Sequence, residues 1–260
     1  MRYRAYLYSP ALILAFFLSW EFFARLEWIN TGLFPAPLVI LEDLSDLFKQ
    51  EVQGQSVLLT HLTTTLKRLF LAAIEGTLVG FVVGVCMGLS YRFYRFFDPI
   101  ITLIMPIPGI AMAPLFIIWL GFGDVTIITV GAIATFFPVA HNTSTGVRSI
   151  EKQLVRAAQI MGAKRIKILT QVYIPWSAVY LFTGIKLGLA RCWRTVIAVE
   201  FIAAANWGFG YMIWDAAEYL NASVVYGGIV LLALTFTFIE KGLINSLEHM
   251  TVEKWGMLRN

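Results

Sequence analysis

The chain has 260 residues, of which 58% are hydrophobic and only 14% are charged. Soluble domains carry roughly 25% charged residues, so this composition excludes an ordinary soluble protein and favours a membrane protein. The net charge of +4 is distributed over short loops, and it gives no indication of nucleic-acid binding.

Apolar segments of about 20 residues, the length that crosses the hydrocarbon core of a bilayer, recur along the chain. They lie at about 7–26, 69–90, 99–120, 125–145, 178–203 and 223–245. The sequence therefore predicts an all-α, polytopic membrane protein with about six transmembrane helices. We expect one transmembrane domain over residues 1–260.

The first segment follows Arg2 and Arg4, as in a signal peptide, but no small-x-small cleavage site comes after it. We expect this span to be retained as an anchor. Pro35 and Pro37 then exclude a continuous helix. Residues 38–53 intersperse apolar side chains with acids, which predicts an amphipathic helix at the membrane interface.

Glycines recur every four residues in the second span, at Gly76, Gly80, Gly84 and Gly88. They form a bare ridge that lets a neighbouring backbone approach closely. Two interpretations remain open, packing within the chain and a pathway or subunit interface.

The third span is interrupted by Pro106, Pro108, Gly109 and Pro114. A broken helix in lipid leaves carbonyl groups without donors, so it is tolerated where it is buried or lines a cavity. We favour a lining of the transport pathway over a simple kink.

The segment between the fourth and fifth spans, residues 149–163, predicts a short amphipathic helix. Leu154, Ala157, Ala158 and Met161 fall on one face, and Gly162 allows the helix to end. Ser149 is expected to cap its start. Because this face is small and apolar, we predict that residues 149–163, the docking segment, enter a groove of another protein.

Charged residues inside the fifth span are expensive and therefore informative. Arg191 and Arg194 lie about one helical turn apart, with Glu200 further along and Glu75 in the second span. Two interpretations are open: a buried ion pair between an arginine and one of these acids, or an electropositive site on the path of an anion.

Neither a P-loop signature nor a catalytic Ser/His/Asp arrangement is present. His61, His141 and His249 are far apart in the sequence, without metal-ligand spacing. We therefore expect no catalytic residue, metal site or cofactor in this chain. Cys86 and Cys192 are expected to be reduced packing residues.

Basic residues indicate the orientation, because they are enriched in cytoplasmic loops. The loops 121–124 and 204–222 carry none, whereas Lys67 and Arg68 go against the pattern. We expect both termini and the docking segment to be cytoplasmic. The basic residues on that side include Arg2, Arg4, Arg92, Arg95, Arg148, Lys152, Arg156, Lys164, Arg165, Lys167, Lys254 and Arg259.

The docking segment resembles the EAA loop of ATP-binding-cassette (ABC) importer permeases. Ala157, Ala158 and Gly162 keep the spacing of that loop, and Val172–Pro175 follows nine residues later. Arg156 stands where the family usually has glutamate. The strings Pro106–Gly109, Pro114–Gly123 and Gly208–Tyr211 are similar to the nitrate, sulfonate, taurine and bicarbonate branch.

The resemblance implies a permease subunit in the bacterial plasma (inner) membrane, without enzymatic activity of its own. It implies a second permease copy (a homodimer), two ATPase subunits that bind ATP and Mg, and an external substrate-binding protein. The solute would be a small anion of the nitrate, bicarbonate, taurine or sulfonate type.

Two sets of candidate site residues follow. The residues expected to couple to the ATPase are Leu154, Arg156, Ala157, Ala158, Met161, Gly162 and Ala163. Those expected along the translocation pathway are Pro106, Pro108, Trp119, Arg191, Arg194 and Glu200. The alternative function is an ion-coupled secondary transporter, which the intramembrane Glu75 and Glu200 would favour.

Overall fold

A computed structural model describes residues 2–52 and 54–244, with side chains over 12–52 and 54–242. Apart from one short hairpin, all regular elements of these residues are helices, joined by turns and loops. The elements are α1 (Arg2–Arg25), α2 (Pro37–Lys49), β1 (Glu51–Val52), β2 (Gln55–Ser56), α3 (Val57–Leu89), α4 (Tyr91–Ile104), α5 (Gly109–Leu120), α6 (Asp124–Arg148), α7 (Lys152–Ile160), α8 (Arg165–Ile168), a π-helical turn (Leu169–Tyr173), α9 (Ile174–Ala203), α10 (Phe209–Glu218), α11 (Ala222–Ile239) and a second π-helical turn (Glu240–Ile244).

Four stretches of helix are long and apolar enough to cross a membrane, and a bent pair of helices could form a fifth. The predicted polytopic, all-helical membrane protein is thereby confirmed. The first predicted span, 7–26, coincides with the later part of α1, a helix of 24 residues, and extends one residue beyond its end. The end of the last predicted span at 245, His249 and the basic tail lie outside the described residues. The four stretches are Val57–Leu89, Asp124–Arg148, Arg165–Ala203 and Ala222–Gly242.

Helix α2 confirms the amphipathic helix predicted after the two prolines. It begins at Pro37, because the fixed φ of proline suits the first position of a helix. It ends at Lys49, earlier than predicted, because the chain turns at Gly54 (φ +77°) into the hairpin between β1 and β2. Ser223 of α11 donates a hydrogen bond to Asp43, which fixes α2 against α11.

The glycine ridge of α3 packs against α6 within the same chain. A Cβ atom added to Gly80 would lie 2.9 Å from the carbonyl oxygen of Phe136, and one on Gly84 would lie 2.7 Å from that of Ala140. Both distances are too short for real contacts, so only glycine allows the two backbones to approach this closely. The interpretation as packing within the chain is confirmed.

Helices α3, α6 and α9 form the core of the bundle. Their buried side chains include Leu69, Val130 and Val196, and Cys192 lies among them as a free thiol. Compared with the prediction, α3 starts earlier, at Val57 instead of 69. The polar residues before position 69 remain helical because several of them are buried and bonded within the protein.

The third span is broken, as predicted. Helices α4 and α5 are bent by 104° across the break at 105–108. Pro108 occupies the position before α5, where a missing N–H costs nothing. Pro114 was expected to interrupt the span too, but α5 continues through it to Leu120. A proline at this position removes only the hydrogen bond to the carbonyl of Ile110, so the helix survives.

Candidate functional site

The break between α4 and α5 opens into a cavity of about 390 Å³, here called the break cavity. Its walls come from the unwound turn, the first turn of α5, and the facing sides of α6 and α9. The lining residues are Ile104, Met105, Pro106, Ile107, Pro108, Gly109, Ile110, Met112, Val130, Ala134, Phe137, Arg191, Arg194, Thr195 and Ala198.

Two arginines of α9 reach this cavity. Arg191 Nη1 donates a hydrogen bond of 3.0 Å to the carbonyl oxygen of Met105. That carbonyl lies at the broken end of α4, and the bond supplies a donor where the helix no longer provides one. Arg194 Nε donates to the carbonyl oxygen of Ala190 at 3.1 Å. Among the described residues, no acidic side chain lines the cavity and neither arginine forms an ion pair.

The first turn of α5 adds to this positive potential. Gly109 starts the helix at the cavity, and no side chain caps the first N–H groups. The amino end of a helix carries a partial positive charge. Gly109 also packs against Thr195, since an added Cβ would lie 2.6 Å from Thr195 Oγ1. A glycine is therefore needed at this contact between α5 and α9.

Four of the six pathway candidates line this cavity. Pro106 and Pro108 form its unwound edge, and Arg191 and Arg194 form the opposite wall. Trp119 does not line it. That side chain is 64% exposed near the far end of α5, and its ring packs edge-on against Phe116.

Glu200 does not line the cavity either. It is fully buried, and its Oε1 atom lies 2.6 Å from Nη1 of Arg68 on α3. The predicted pairing with Arg191 or Arg194 is therefore wrong. Each residue advances about 100° around a helix, so a position nine residues after Arg191 lies on the opposite face of α9.

Arg68 joins two acids and a backbone carbonyl, a set that we call the Arg68 network. Its Nη2 atom lies 2.6 Å from Asp124 Oδ1 at the start of α6, and Nη1 donates to the carbonyl oxygen of Trp207 at 2.6 Å. Thr65 Oγ1 donates to Glu200 at 3.0 Å, and the N–H of Gly210 donates at 2.9 Å. The buried charges are thus compensated, as buried ions must be.

Sequence reasoning missed Arg68 because it was counted as a loop residue at the edge of a span. One signal could have identified it. Thr65, Arg68, Ala72 and Gly76 follow at intervals of three or four, so Arg68 shares the face of α3 that carries small residues. A charge on a packing face needs a partner within the protein.

The docking segment contains the predicted short helix. It is α7, and the chain turns at Gly162, whose φ of +80° favours glycine. The predicted cap is wrong: Glu151 precedes the helix, whereas Ser149 ends α6 and donates a hydrogen bond to the carbonyl of Gly146. The conformation of Ser149 is right-handed helical, which is unsuited to an N-cap.

Most of the docking segment is exposed and is not covered by the described part of the chain. Ala158 is buried, but Leu154, Arg156, Ala157, Met161 and Gly162 are exposed, and Ala163 is half-buried. Met161 is 80% exposed and Ile160 86%. A cavity of about 910 Å³ lies between α7 and the residues that follow, lined by Ala158, Met161, Gly162, Ala163, Lys164, Ile166, Lys167, Ile168, Thr170, Gln171 and Val172. This surface is apolar with a basic edge.

Comparisons with known proteins agree with this architecture. Residues 76–240 match the family described as binding-protein-dependent transport system inner membrane component. The taurine transport system permease protein TauC of Escherichia coli is 37% identical over 86% of this chain and 81% of its own length. The putative aliphatic sulfonates transport permease protein SsuC of Bacillus subtilis is 29% identical over 89% and 82%.

Two further relatives differ more from this chain. The nitrate import permease protein NrtB of Leptolyngbya laminosa is 25% identical over 72% of this chain and 65% of its own. An inward-facing structure of the MetNI methionine ABC transporter superposes with a TM-score of 0.59 at 19% identity, covering 73% of this chain and 95% of that one. At this identity the likeness concerns the fold.

Proposed function

This chain belongs to the family of binding-protein-dependent transport system inner membrane components, and we propose that its solute is a small anion of the sulfonate, taurine, nitrate or bicarbonate type. As a permease it provides the passage through the membrane and carries out no bond chemistry. Its relatives are named as permeases for taurine, aliphatic sulfonates and nitrate, all of which carry an anionic group.

The break cavity is the observation that carries this proposal. Arg191 and Arg194 present two positive charges beside the start of α5, and no carboxylate lines the same space. Attraction between charges is stronger beside the low-dielectric interior of a protein than in bulk water. Arg191 is partly occupied by the carbonyl of Met105, which leaves Arg194 as the more available anion ligand.

Energy for the transport comes, in this proposal, from a partner ATPase that binds ATP and Mg. The docking segment is the surface that fits such a partner, because its apolar side chains are exposed beside basic ones. An external binding protein delivers the solute, and a second permease copy completes the passage. Nucleotide binding would move the docking segment and switch the access of the cavity between the two sides of the membrane.

In the proposed orientation, both termini and the docking segment are cytoplasmic, in the bacterial plasma (inner) membrane. The Arg68 network supports this assignment. Arg68 lies inside α3 and is paired with Glu200 and Asp124, so it does not act as a free loop charge on the outer side. The strongest exception to the distribution of basic residues is thus removed.

The ion-coupled alternative loses the part of its support that rested on Glu200. It required intramembrane carboxylates that bind and release a coupling ion. Glu200 is held by Arg68, Thr65 and the N–H of Gly210, which is an arrangement for a permanent ion pair.

Uptake by the complete complex tests the proposal. The permease is co-purified with its ATPase and binding-protein partners, once these are identified, and reconstituted into proteoliposomes. We expect ATP-dependent uptake of at least one of taurine, an alkanesulfonate, nitrate or bicarbonate. Uptake driven by a proton or sodium gradient without ATP, or uptake of cations alone, would contradict the proposal.

A variant of the docking segment tests the coupling. Ala158→Glu places a charge on the one buried residue of α7, so ATP hydrolysis should no longer drive uptake although the protein reaches the membrane. Gln153→Glu, on an exposed position of the same helix, is the matched control. Full uptake by Ala158→Glu would exclude this surface as the coupling site.

A further inference from the structure

A separate cavity of about 330 Å³ lies between the start of α4 and the end of α6. This is the end of the protein that carries the docking segment. None of its lining residues belongs to the break cavity. The residues that line it are Tyr94, His141, Ser144, Thr145, Arg148 and Ser149.

One face of α6 supplies most of these side chains. His141, Ser144, Thr145 and Arg148 follow at intervals of three, one and three residues, which places them in one row along the helix. Tyr94 of α4 covers this row from the other side. The cavity thus combines hydroxyl groups, an imidazole and a guanidinium.

The charge of Arg148 is uncompensated. Its guanidinium carbon lies 3.8 Å from the centroid of the Tyr94 ring, a contact that fixes the side chain without neutralising it. Arg148 forms no ion pair among the described side chains. Asp98, four residues after Tyr94, and Glu151, three residues after Arg148, do not line the cavity.

Ser144 gives an independent indication of a ligand. It is only 2% exposed, and its hydroxyl has no hydrogen-bond partner within the described part of the chain. Buried hydroxyl groups are nearly always hydrogen-bonded, so this one calls for a partner beyond the described residues.

We propose that this cavity binds an oxyanion of the phosphate class, with Arg148 as the charged ligand and the hydroxyls of Ser144 and Tyr94 as donors. Arginine and hydroxyl groups are the usual ligands of such anions. The phosphate group of an anionic phospholipid and a free inorganic anion share this chemistry. Residues 149–151 alone separate Arg148 from α7, so an occupant stiffens the joint between α6 and the docking segment.

Ligand-dependent thermal stability of the complete complex tests this site. The complex is placed in nanodiscs of phosphatidylcholine, and either phosphatidylglycerol or inorganic phosphate is titrated. We expect Arg148→Gln to weaken the apparent affinity about tenfold, since it removes a charge-assisted hydrogen bond. Arg92→Gln, which removes an exposed arginine of α4 outside the cavity, should leave the affinity unchanged.

The two arms identify the source of the anion. Stabilisation by phosphatidylglycerol alone assigns a lipid headgroup, whereas stabilisation by phosphate in phosphatidylcholine discs assigns a soluble anion. The proposal is overturned if neither ligand stabilises the complex, or if Arg148→Gln responds like the wild type. Should Arg148→Gln not assemble, Ser144→Ala carries the same test, with an expected loss of about threefold for one hydroxyl donor.

Discussion

Arginines in two regions of this permease have opposite surroundings. Arg68 is 5% exposed in its side chain and lies 2.6 Å from each of two carboxylates, which belong to the start of α6 and the end of α9. Arg191 and Arg194 lie on the other face of α9, where their described partners are the backbone carbonyls of Met105 and Ala190. All three residues carry a guanidinium group. The charge of Arg68 is paired with carboxylates, whereas the other two have no countercharge among their described partners.

In the proposed function, this contrast separates a charge that stabilises the fold from charges that bind the solute. The Arg68 network uses its donors and acceptors within the chain, and it fastens α3, α6, α9 and the loop before α10 together. The break cavity keeps positive charge available, because a backbone carbonyl accepts a hydrogen bond without supplying a countercharge. An anion that crosses the membrane needs a site that holds it but also releases it. Weakly paired arginines provide such a site, and a closed ion pair does not.

The largest effect is expected when the Arg68 network loses its cation. Arg68→Met leaves Glu200 buried with an uncompensated charge, which should lower stability by about 3–5 kcal/mol. Thermal unfolding of the reconstituted complex measures this loss. Adding Glu200→Gln should restore part of it, because the buried charge is removed as well. Arg25→Met, which breaks an exposed pair with Glu21, serves as the control and should cost at most about 1 kcal/mol.

A smaller change in stability but a clear loss of transport is expected at the break cavity. Arg194→Gln should reduce anion uptake about tenfold or more and leave thermal unfolding almost unchanged, because no ion pair is lost. Arg191→Gln should reduce uptake and also destabilise, since the carbonyl of Met105 loses its donor at a cost of about 1–3 kcal/mol. Full uptake in both variants would place the pathway elsewhere.

The smallest effect is expected when an acid is placed beside the arginines of the break cavity, as acids lie beside Arg68 in the Arg68 network. Ala198 lines the cavity on α9, so Ala198→Asp brings an acid close to the arginines. We expect uptake to fall several-fold with little change in stability, as the acid competes with the solute anion for the positive charge. Ala198→Asn has nearly the same shape without the charge. Equal uptake by the two variants would show that the volume of the side chain, and not its charge, matters there.

Local features of the fold could be predicted from the sequence, and long-range pairings could not. The break at Pro106 and Pro108 and the turn at Gly162 follow from what proline and glycine do to their own backbone. The juxtaposition of the break with Arg191 and Arg194 was expected too, because both were assigned to the same pathway. Its role in transport stays a prediction.

The partner of Glu200 was beyond such reasoning. Which face of α9 meets α3 depends on how three helices pack, and the glycines of α3 restrict that packing only after α6 is in place. Ser149 shows that a neighbouring element can also override a prediction made from one residue. Its residue type is typical of a helix start, but the end of α6 includes it before a new helix can begin.

Helix α6 connects the Arg68 network to the docking segment. Its first residue, Asp124, is tied to Arg68, and its last, Arg148, comes three residues before α7. Its 25 residues correspond to a length of about 37 Å. The helix continues through Pro138, and the glycines of α3 pack closely against one of its sides. A tilt of a few degrees imposed at the docking segment would displace the far end by about 2–3 Å. That end carries the Arg68 network, so in the proposed coupling a force on the docking segment would be transmitted by α6 to the ion pairs of Arg68.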